Sequence, residues 1–410
     1  MNPKLIFTVV LILSALFSYN FNLAYADEST TSAQTVATDN TAFAINLYGQ
    51  LRTRAGNLCF SPYSISTALA MAYGGARNRT AEQIAQTLHF DLPPDKLHPA
   101  FAELGANLNA VQQKGRVELA TANSLWPQQG FGFLPDYLAL CQKDYGTSIT
   151  PVDYQNHTEE ARKTINYWVE IRTKGKITEL LPPGMVSSST RLTLVNAIYF
   201  KGKWASPFET NLTANQPFHL SPEQSITAPL MRQTANFGYA EFPGLQVIEL
   251  PYAGGNLSMI VLLPDKIDGL DSFEAELTTQ NLASWTTDLL SQKVIVSLPK
   301  FKITSKFSLA NTLAKMGITD AFQSELADFS GMDGQKDLFI NVVEHKAFVE
   351  VNEEGTEAAA ATAVLVNFGG ASINPPPTPV FRADHPFLFL IRDNHSGSVL
   401  FLGRVTNPTL

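Results

Sequence analysis

Cysteine, histidine and charge are all sparse in this 410-residue chain. Cys59 and Cys141 are its only cysteines, too few for a disulfide framework at this length. Cys59 lies in the apolar run Leu58-Cys59-Phe60 and reads as a buried free thiol; whether it pairs with Cys141 is open. Charged residues make up 16% of the chain, and 29 Lys and Arg against 37 Asp and Glu leave a net charge of −8. That balance argues against a nucleic-acid partner, which requires a clustered positive surface, and against docking on anionic membranes. The seven histidines are His89, His98, His157, His219, His345, His385 and His395; none is spaced from another His or a Cys as zinc ligands are, so no metal is expected. There is no G-x-S-x-G, H-E-x-x-H, P-loop or complete G-x-G-x-x-G. No catalytic residue and no cofactor are therefore expected. A triad assembled only in space from Ser, His and Asp stays as the enzyme alternative.

What is present is a core: 45% of residues are hydrophobic, as in an ordinary globular protein. At the N-terminus, Lys4 precedes an apolar run from Leu5 to Phe17, then Ala24-Tyr25-Ala26. This pattern reads as a signal peptide over residues 1–26, cut before Asp27. It predicts a secreted, extracellular protein (periplasmic in a bacterium) with no membrane attachment after cleavage. Residues 27–39 are polar and read as a mobile segment, and 40–410 as the folded domain. Length alone suggests two or three domains at roughly 150 residues each. With no linker and no internal repeat, one large domain fits better.

Helix signals crowd the first half. Phe43, Leu47 and Leu51 recur at helical spacing. Ser61-Pro62 reads as an N-cap with proline in the first turn, and Gly74-Gly75 as the stop. Thr80 with Gln83 reads as a capping box, and 158–173 as another helix. Leu309, Leu313 and Met316 form a short helical face ending at Gly317. Strand signals dominate later, over 192–200, 245–252, 257–263, 294–303, 386–391 and 398–401. The last two flank a turn and form a hairpin. Helices first and strands later make an α+β domain.

One stretch breaks local rules. After the strand Phe348-Val349-Glu350-Val351 come Asn352-Glu353-Glu354-Gly355-Thr356-Glu357, four alanines, then Thr362-Ala363-Val364. Alanine favours helix and disfavours strand, so a short surface helix over 356–364 is one reading. At period two, Thr356, Ala358, Ala360, Thr362, Val364, Val366 and Phe368 share an uncharged face, small over its first four positions. Such a segment can lie in solvent or slide into a sheet without burying a charge.

This segment resembles the hinge and reactive loop of the serpins. The resemblance spans nearly the whole chain after residue 26. Asn57-Leu58-Cys59-Phe60-Ser61-Pro62-Tyr63-Ser64-Ile65 is similar to the family's N-terminal motif, and Val195-Asn196-Ala197-Ile198-Tyr199-Phe200-Lys201-Gly202-Lys203-Trp204 to its central strand. His345-Lys346-Ala347 leads into the hinge as in that family. Pro386-Phe387-Leu388-Phe389 and Gly403-Arg404-Val405-Thr406-Asn407-Pro408 resemble its C-terminal signature.

The resemblance implies a single domain with three β-sheets, about nine helices and an exposed reactive loop at about 353–380. It implies a suicide-substrate inhibitor, not an enzyme: a target protease cleaves the loop and is held as a covalent acyl-enzyme while the loop enters the central sheet. Implied hinge residues are Glu353, Gly355, Thr356, Ala358, Ala360 and Thr362. Ser61, Ser64, Asn196 and His345 match positions that knit together the strands that must part, and Trp204 matches the tryptophan near the insertion point. The family's spacing puts the scissile bond fourteen residues past Gly355, at Gly369-Gly370, with Phe368 and Ala371 as alternatives. No Lys or Arg occurs from Glu354 to Phe381, so a trypsin-like pocket is a poor match. Elastase-, chymotrypsin- or subtilisin-like serine endopeptidases fit better, with papain-like enzymes as an alternative target. A non-inhibitory carrier, chaperone or storage role is the alternative function. Lys96, Lys114 and Arg116 form no basic cluster over 92–117, so no strong heparin site is expected. The protein is expected to be a monomer.

Overall fold

A computed structural model describes residues 31–113, 117–147, 149–355 and 377–410. The chain begins with a helical layer: α1 (Ser32–Leu51), a short strand β1 (Leu58–Phe60), α2 (Pro62–Gly75), α3 (Asn78–Thr87) and α4 (Pro94–Gln113). Residues 27–39 are expected to lie outside the domain as a mobile segment. In the structure Ser32 already opens α1, and Ala33, Val36, Ala37 and Asp39 are buried. Composition alone missed this because those small residues cover neighbouring elements rather than forming an obvious apolar stripe.

Then follow β2 (Val117–Pro127), α5 (Pro135–Tyr145), α6 (Tyr154–Arg172), β3 (Leu192–Gly202), β4 (Ala214–Ser221), β5 (Gln224–Phe242), β6 (Leu245–Pro251) and β7 (Leu257–Pro264). Two small helices, α7 (Leu270–Ala275) and α8 (Thr279–Thr287), precede β8 (Leu290–Pro299) and β9 (Phe301–Ser308). The chain ends with α9 (Ala310–Met316), α10 (Ser330–Asp333), β10 (Val342–Val351), β11 (Val380–Arg382), β12 (Phe387–Asp393) and β13 (Val399–Val405).

Among the described residues the strands form two hydrogen-bonded sheets. One has four strands in the order β2-β3-β10-β9; the other is a nine-stranded network, β1-β13-β12-β7-β6-β5-β8-β11 with β4 on β5. The long β5 runs through that network. Its first residues pair with β4, Leu230 to Tyr239 pair with β8, and Gly238 to Phe242 pair with β6. The network therefore contains two strand groups sharing one strand, which with the four-stranded sheet makes the three groups expected.

Two local expectations differ in detail. The apolar run 294–303 is two strands, not one, because the chain crosses between sheets at Lys300: β8 pairs with β5, and β9 with β10. Thr80 and Gln83 form no capping box, and α3 has no side-chain cap. Gln83 instead binds Thr319 N–H, Asp320 N–H and Asp320 Oδ1, while Thr80 Oγ accepts from Asp328 N–H, so both side chains satisfy the facing loop. The expected cap at Ser61 is present: its Oγ accepts from Ser64 N–H at 3.2 Å.

The four-stranded sheet is buried on both faces. On one face α6 packs Ile165 and Val169 against Ala122, Val195 and Ala197. On the other, Ser61 and Ser64 at the start of α2 reach the sheet. This explains why β3 reads as a continuous apolar run rather than an alternating one. Cys59 and Cys141 are both free and buried; burial pushes the thiol of Cys141 up to about 11 and that of Cys59 further, so neither is a ready thiolate.

Candidate functional site

The four strands of the smaller sheet form two antiparallel pairs. β2 is antiparallel to β3 and β9 is antiparallel to β10. Between them β3 and β10 run parallel, over Thr193 to Tyr199 and Val342 to Phe348. This one parallel junction is a seam, since parallel pairing is slightly less stable per residue.

A polar row crosses the seam on its inner face. Asn123, Asn196, His345 and Phe307 stand opposite one another on β2, β3, β10 and β9. Ser61 N–H donates to His345 Nε2 at 3.1 Å, and His345 Nδ1 donates to Asn196 Oδ1. That arrangement fixes a neutral imidazole with its proton on Nδ1. Asn196 Nδ2 donates to Ser64 Oγ at 2.7 Å and to Asn123 Oδ1 at 2.7 Å; Ser64 Oγ donates to Asn123 Oδ1 at 2.8 Å. Phe307 stacks on the His345 ring with centroids 6.3 Å apart. Burial pushes the His345 pKa down to about 3, so the network holds an uncharged histidine. The four residues expected together, Ser61, Ser64, Asn196 and His345, do come together. Asn123 was missed. Its strand reads weakly because Ala120 to Ser124 are small and polar; a paired Asn123-Ser124 next to Leu125-Trp126 was the available signal.

At the end of the seam the chain turns back. Asn352 and Gly355 bond each other reciprocally at 2.8 and 3.2 Å, and Gly355 also bridges Lys203 antiparallel. Lys203 continues β3 and Asn352 continues β10, so Gly355 sits between the ends of the two seam strands. Its φ is +126°, and a Cβ there would strike Gly202 O and lie 2.6 Å from Lys203 Cα, so only glycine fits. Trp204 N–H donates to Glu354 O at 2.9 Å, and its indole Nε1 to Asn352 O at 3.0 Å. The indole stacks on Tyr252 at 4.7 Å. Glu353 accepts from Thr213 Oγ at 2.9 Å and pairs with Lys300 Nζ at 2.9 Å. Burial raises the Glu353 pKa, but the bonds from Lys300 and Thr213 outweigh it and leave the net shift downward. Lys300 and Thr213 were not foreseen, because both lie on distant segments. Thr356, Ala358, Ala360, Thr362, Phe368, Gly369, Gly370 and Ala371 lie outside the described residues.

Among the described residues no His, Cys, Asp or Glu side chains cluster as metal ligands, and no helix is long and apolar enough to cross a membrane.

The architecture is therefore an α+β chain with a parallel seam in a buried four-stranded sheet and a chain reversal lodged at the end of that seam. Known proteins share it. The family model "Serpin (serine protease inhibitor)" matches residues 38–408. The human leukocyte elastase inhibitor is 46% identical over 379 residues, covering 90% of this chain and 98% of that protein. The mouse leukocyte elastase inhibitor A is 46% identical over 380 residues, with the same coverage. Among solved structures, a highly specific serpin of the insect Tenebrio molitor superposes with a TM-score of 0.81 at 34% identity, covering 93% of this chain and 99% of that one. The chain belongs to the serpin family and has the serpin fold.

The same relatives correct the expectation of export. Leukocyte elastase inhibitors are intracellular serpins that lack signal peptides. The expectation rested on the apolar run 5–17 and Ala24-Tyr25-Ala26, which lie outside the described residues.

Proposed function

We propose that the protein inhibits an elastase-, chymotrypsin- or subtilisin-like serine endopeptidase by trapping it as an acyl-enzyme. The observation that carries this reading is Gly355 lodged antiparallel to Lys203 and Asn352 at the end of the parallel junction in the four-stranded sheet. A strand continuing from Gly355 down the seam runs antiparallel to both neighbours. Its entry converts a four-stranded mixed sheet into five antiparallel strands and replaces the weaker parallel pairing. The uncharged, small face from Thr356 to Thr362 meets the condition for entering a buried sheet.

In the reaction the protease serine attacks the scissile carbonyl of the loop. The peptide C–N bond breaks, the amine leaves with a proton supplied by the protease histidine, and an ester links the two proteins. The freed N-terminal part of the loop then enters the seam. In this reading Glu353, Gly355, Thr356, Ala358, Ala360 and Thr362 form the hinge. Ser61, Ser64, Asn196 and His345, with Asn123, hold the seam closed, and Trp204 packs where entry begins. The bond cut is Gly369-Gly370, or the one that follows Phe368 or Ala371. The names of the leukocyte elastase inhibitors, at 44–46% identity, favour an elastase-like target. The absence of Lys and Arg from Glu354 to Phe381 favours the same class.

The test is Thr356→Arg, which would place an unpaired charge inside the sheet. The expected outcome is a loop that is still cut but no longer traps protease. Undiminished yield of an SDS-stable complex would refute insertion as the trapping step.

A further inference from the structure

The outer face of the seam carries a second closure that the inner polar row does not explain. Tyr199 on β3 and Phe348 on β10 stand opposite each other across the junction, with ring centroids 5.8 Å apart. Lys176 Nζ lies 5.6 Å from the Tyr199 ring and 6.0 Å from the Phe348 ring, over both at once. Both rings are buried, which strengthens a cation–π contact by excluding water from it.

The lysine is held in place. It follows a turn in which Lys174 and Gly175 have φ of 52° and 74°, and its N–H donates to Thr173 O at 3.0 Å. Ile177 beside it is fully buried and its N–H donates to Thr173 Oγ at 3.2 Å. The segment after α6 is anchored on both sides of the seam. Lys174 pairs with Glu118 on β2, and Lys346 of β10 donates to Glu179 O at 3.1 Å. Arg162 of α6 donates to Leu181 O at 2.6 Å.

We propose that Lys176 is a positioning residue that clasps β3 to β10 and sets the rate at which the seam parts. The proposal rests on the reading that the seam opens to accept a strand. Neighbouring strands lie about 4.8 Å apart, so one inserted strand would place Tyr199 and Phe348 roughly 10 Å apart. Held at its present height above the strands, with the inserted strand filling the space between the rings, the ammonium would then lie beyond about 6 Å from at least one of them. The contact therefore belongs to the closed form, and its loss favours opening without weakening the inserted form.

The experiment compares wild type, Lys176→Met and Lys176→Arg. The probe is a synthetic peptide copying residues 356–368, and the first readout is its rate of uptake into the uncut protein. The second is the unfolding midpoint of the uncut and loop-cut forms. Lys176→Met is expected to take up peptide roughly five- to thirty-fold faster, the factor given by a partly desolvated cation–π contact. Lys176→Arg should return the rate toward wild type, and the loop-cut midpoint should not move. An unchanged rate in Lys176→Met, or an equal fall in both midpoints, overturns the clasp while leaving the opening seam intact. A wild type that neither takes up peptide nor gains stability on loop cleavage overturns the opening seam, and the clasp with it.

Discussion

His345 makes the stability of the closed sheet depend on pH in a calculable way. Its ring is fully buried and its pKa is pushed down to about 3, against about 6.5 for a histidine in an unfolded chain. Between those values the unfolded state binds a proton that the native state refuses. Stability therefore rises with pH across the window, is complete above about 6.5, and is lost as the solution is acidified. At 1.36 kcal/mol per unit, the 1.5 units from 6.5 down to 5 remove about 2 kcal/mol, and the whole window about 5 kcal/mol. The control is His345→Gln, whose amide can accept from Ser61 N–H and donate to Asn196 Oδ1 without titrating. His98, pushed down to about 4 by burial, acts in the same direction. Asp39, pushed up to about 7 by burial, acts in the opposite one. Both groups are common to the two proteins and cancel in the difference. Urea unfolding followed by fluorescence at pH values from 7.5 to 5 measures it. The variant is less stable at pH 7.5, and the gap should close by about 2 kcal/mol at pH 5. Parallel curves would refute the claim that this histidine is held neutral.

Glu353→Gln should cost about 1 kcal/mol at pH 7, a small value because the Lys300 side chain is 40% exposed. The Glu353 pKa is depressed, so the difference from wild type should vanish as pH falls below the usual carboxylate range; thermal unfolding against pH measures both. Gly355→Ala should cost about 1–3 kcal/mol through its positive φ and the strike on Gly202 O. It should also speed amide exchange at Trp204, whose N–H is held by Glu354 O.

Much of this architecture was readable where local chemistry and the fold agree. Ser61-Pro62 begins a helix in any context, and the Asp393 turn between two apolar runs forms a hairpin. The family motifs carried the rest, including the positions of Asn196, His345 and Trp204. What escaped was set by partners far along the chain. Lys300 looks like one residue within a strand, yet it marks the crossing between sheets and turns its ammonium to Glu353. Gln83 has the spacing of a cap but satisfies Asp320 instead. Asn123 lies on a strand of small polar residues whose pattern is blurred because both faces are covered. The seam itself is invisible in sequence, since whether β3 and β10 run parallel depends on topology alone.

The measurement that bears most directly on the account is incubation with an elastase-like serine protease, followed by denaturing electrophoresis and mass spectrometry. The expected product is an SDS-stable complex with the mass of protease plus inhibitor, less the C-terminal fragment that begins near Gly370. Its ester should be released by mild base. Complete loop cleavage with no covalent complex, or cleavage only after a basic residue outside the loop, would contradict the proposal that this protein traps such a protease as an acyl-enzyme.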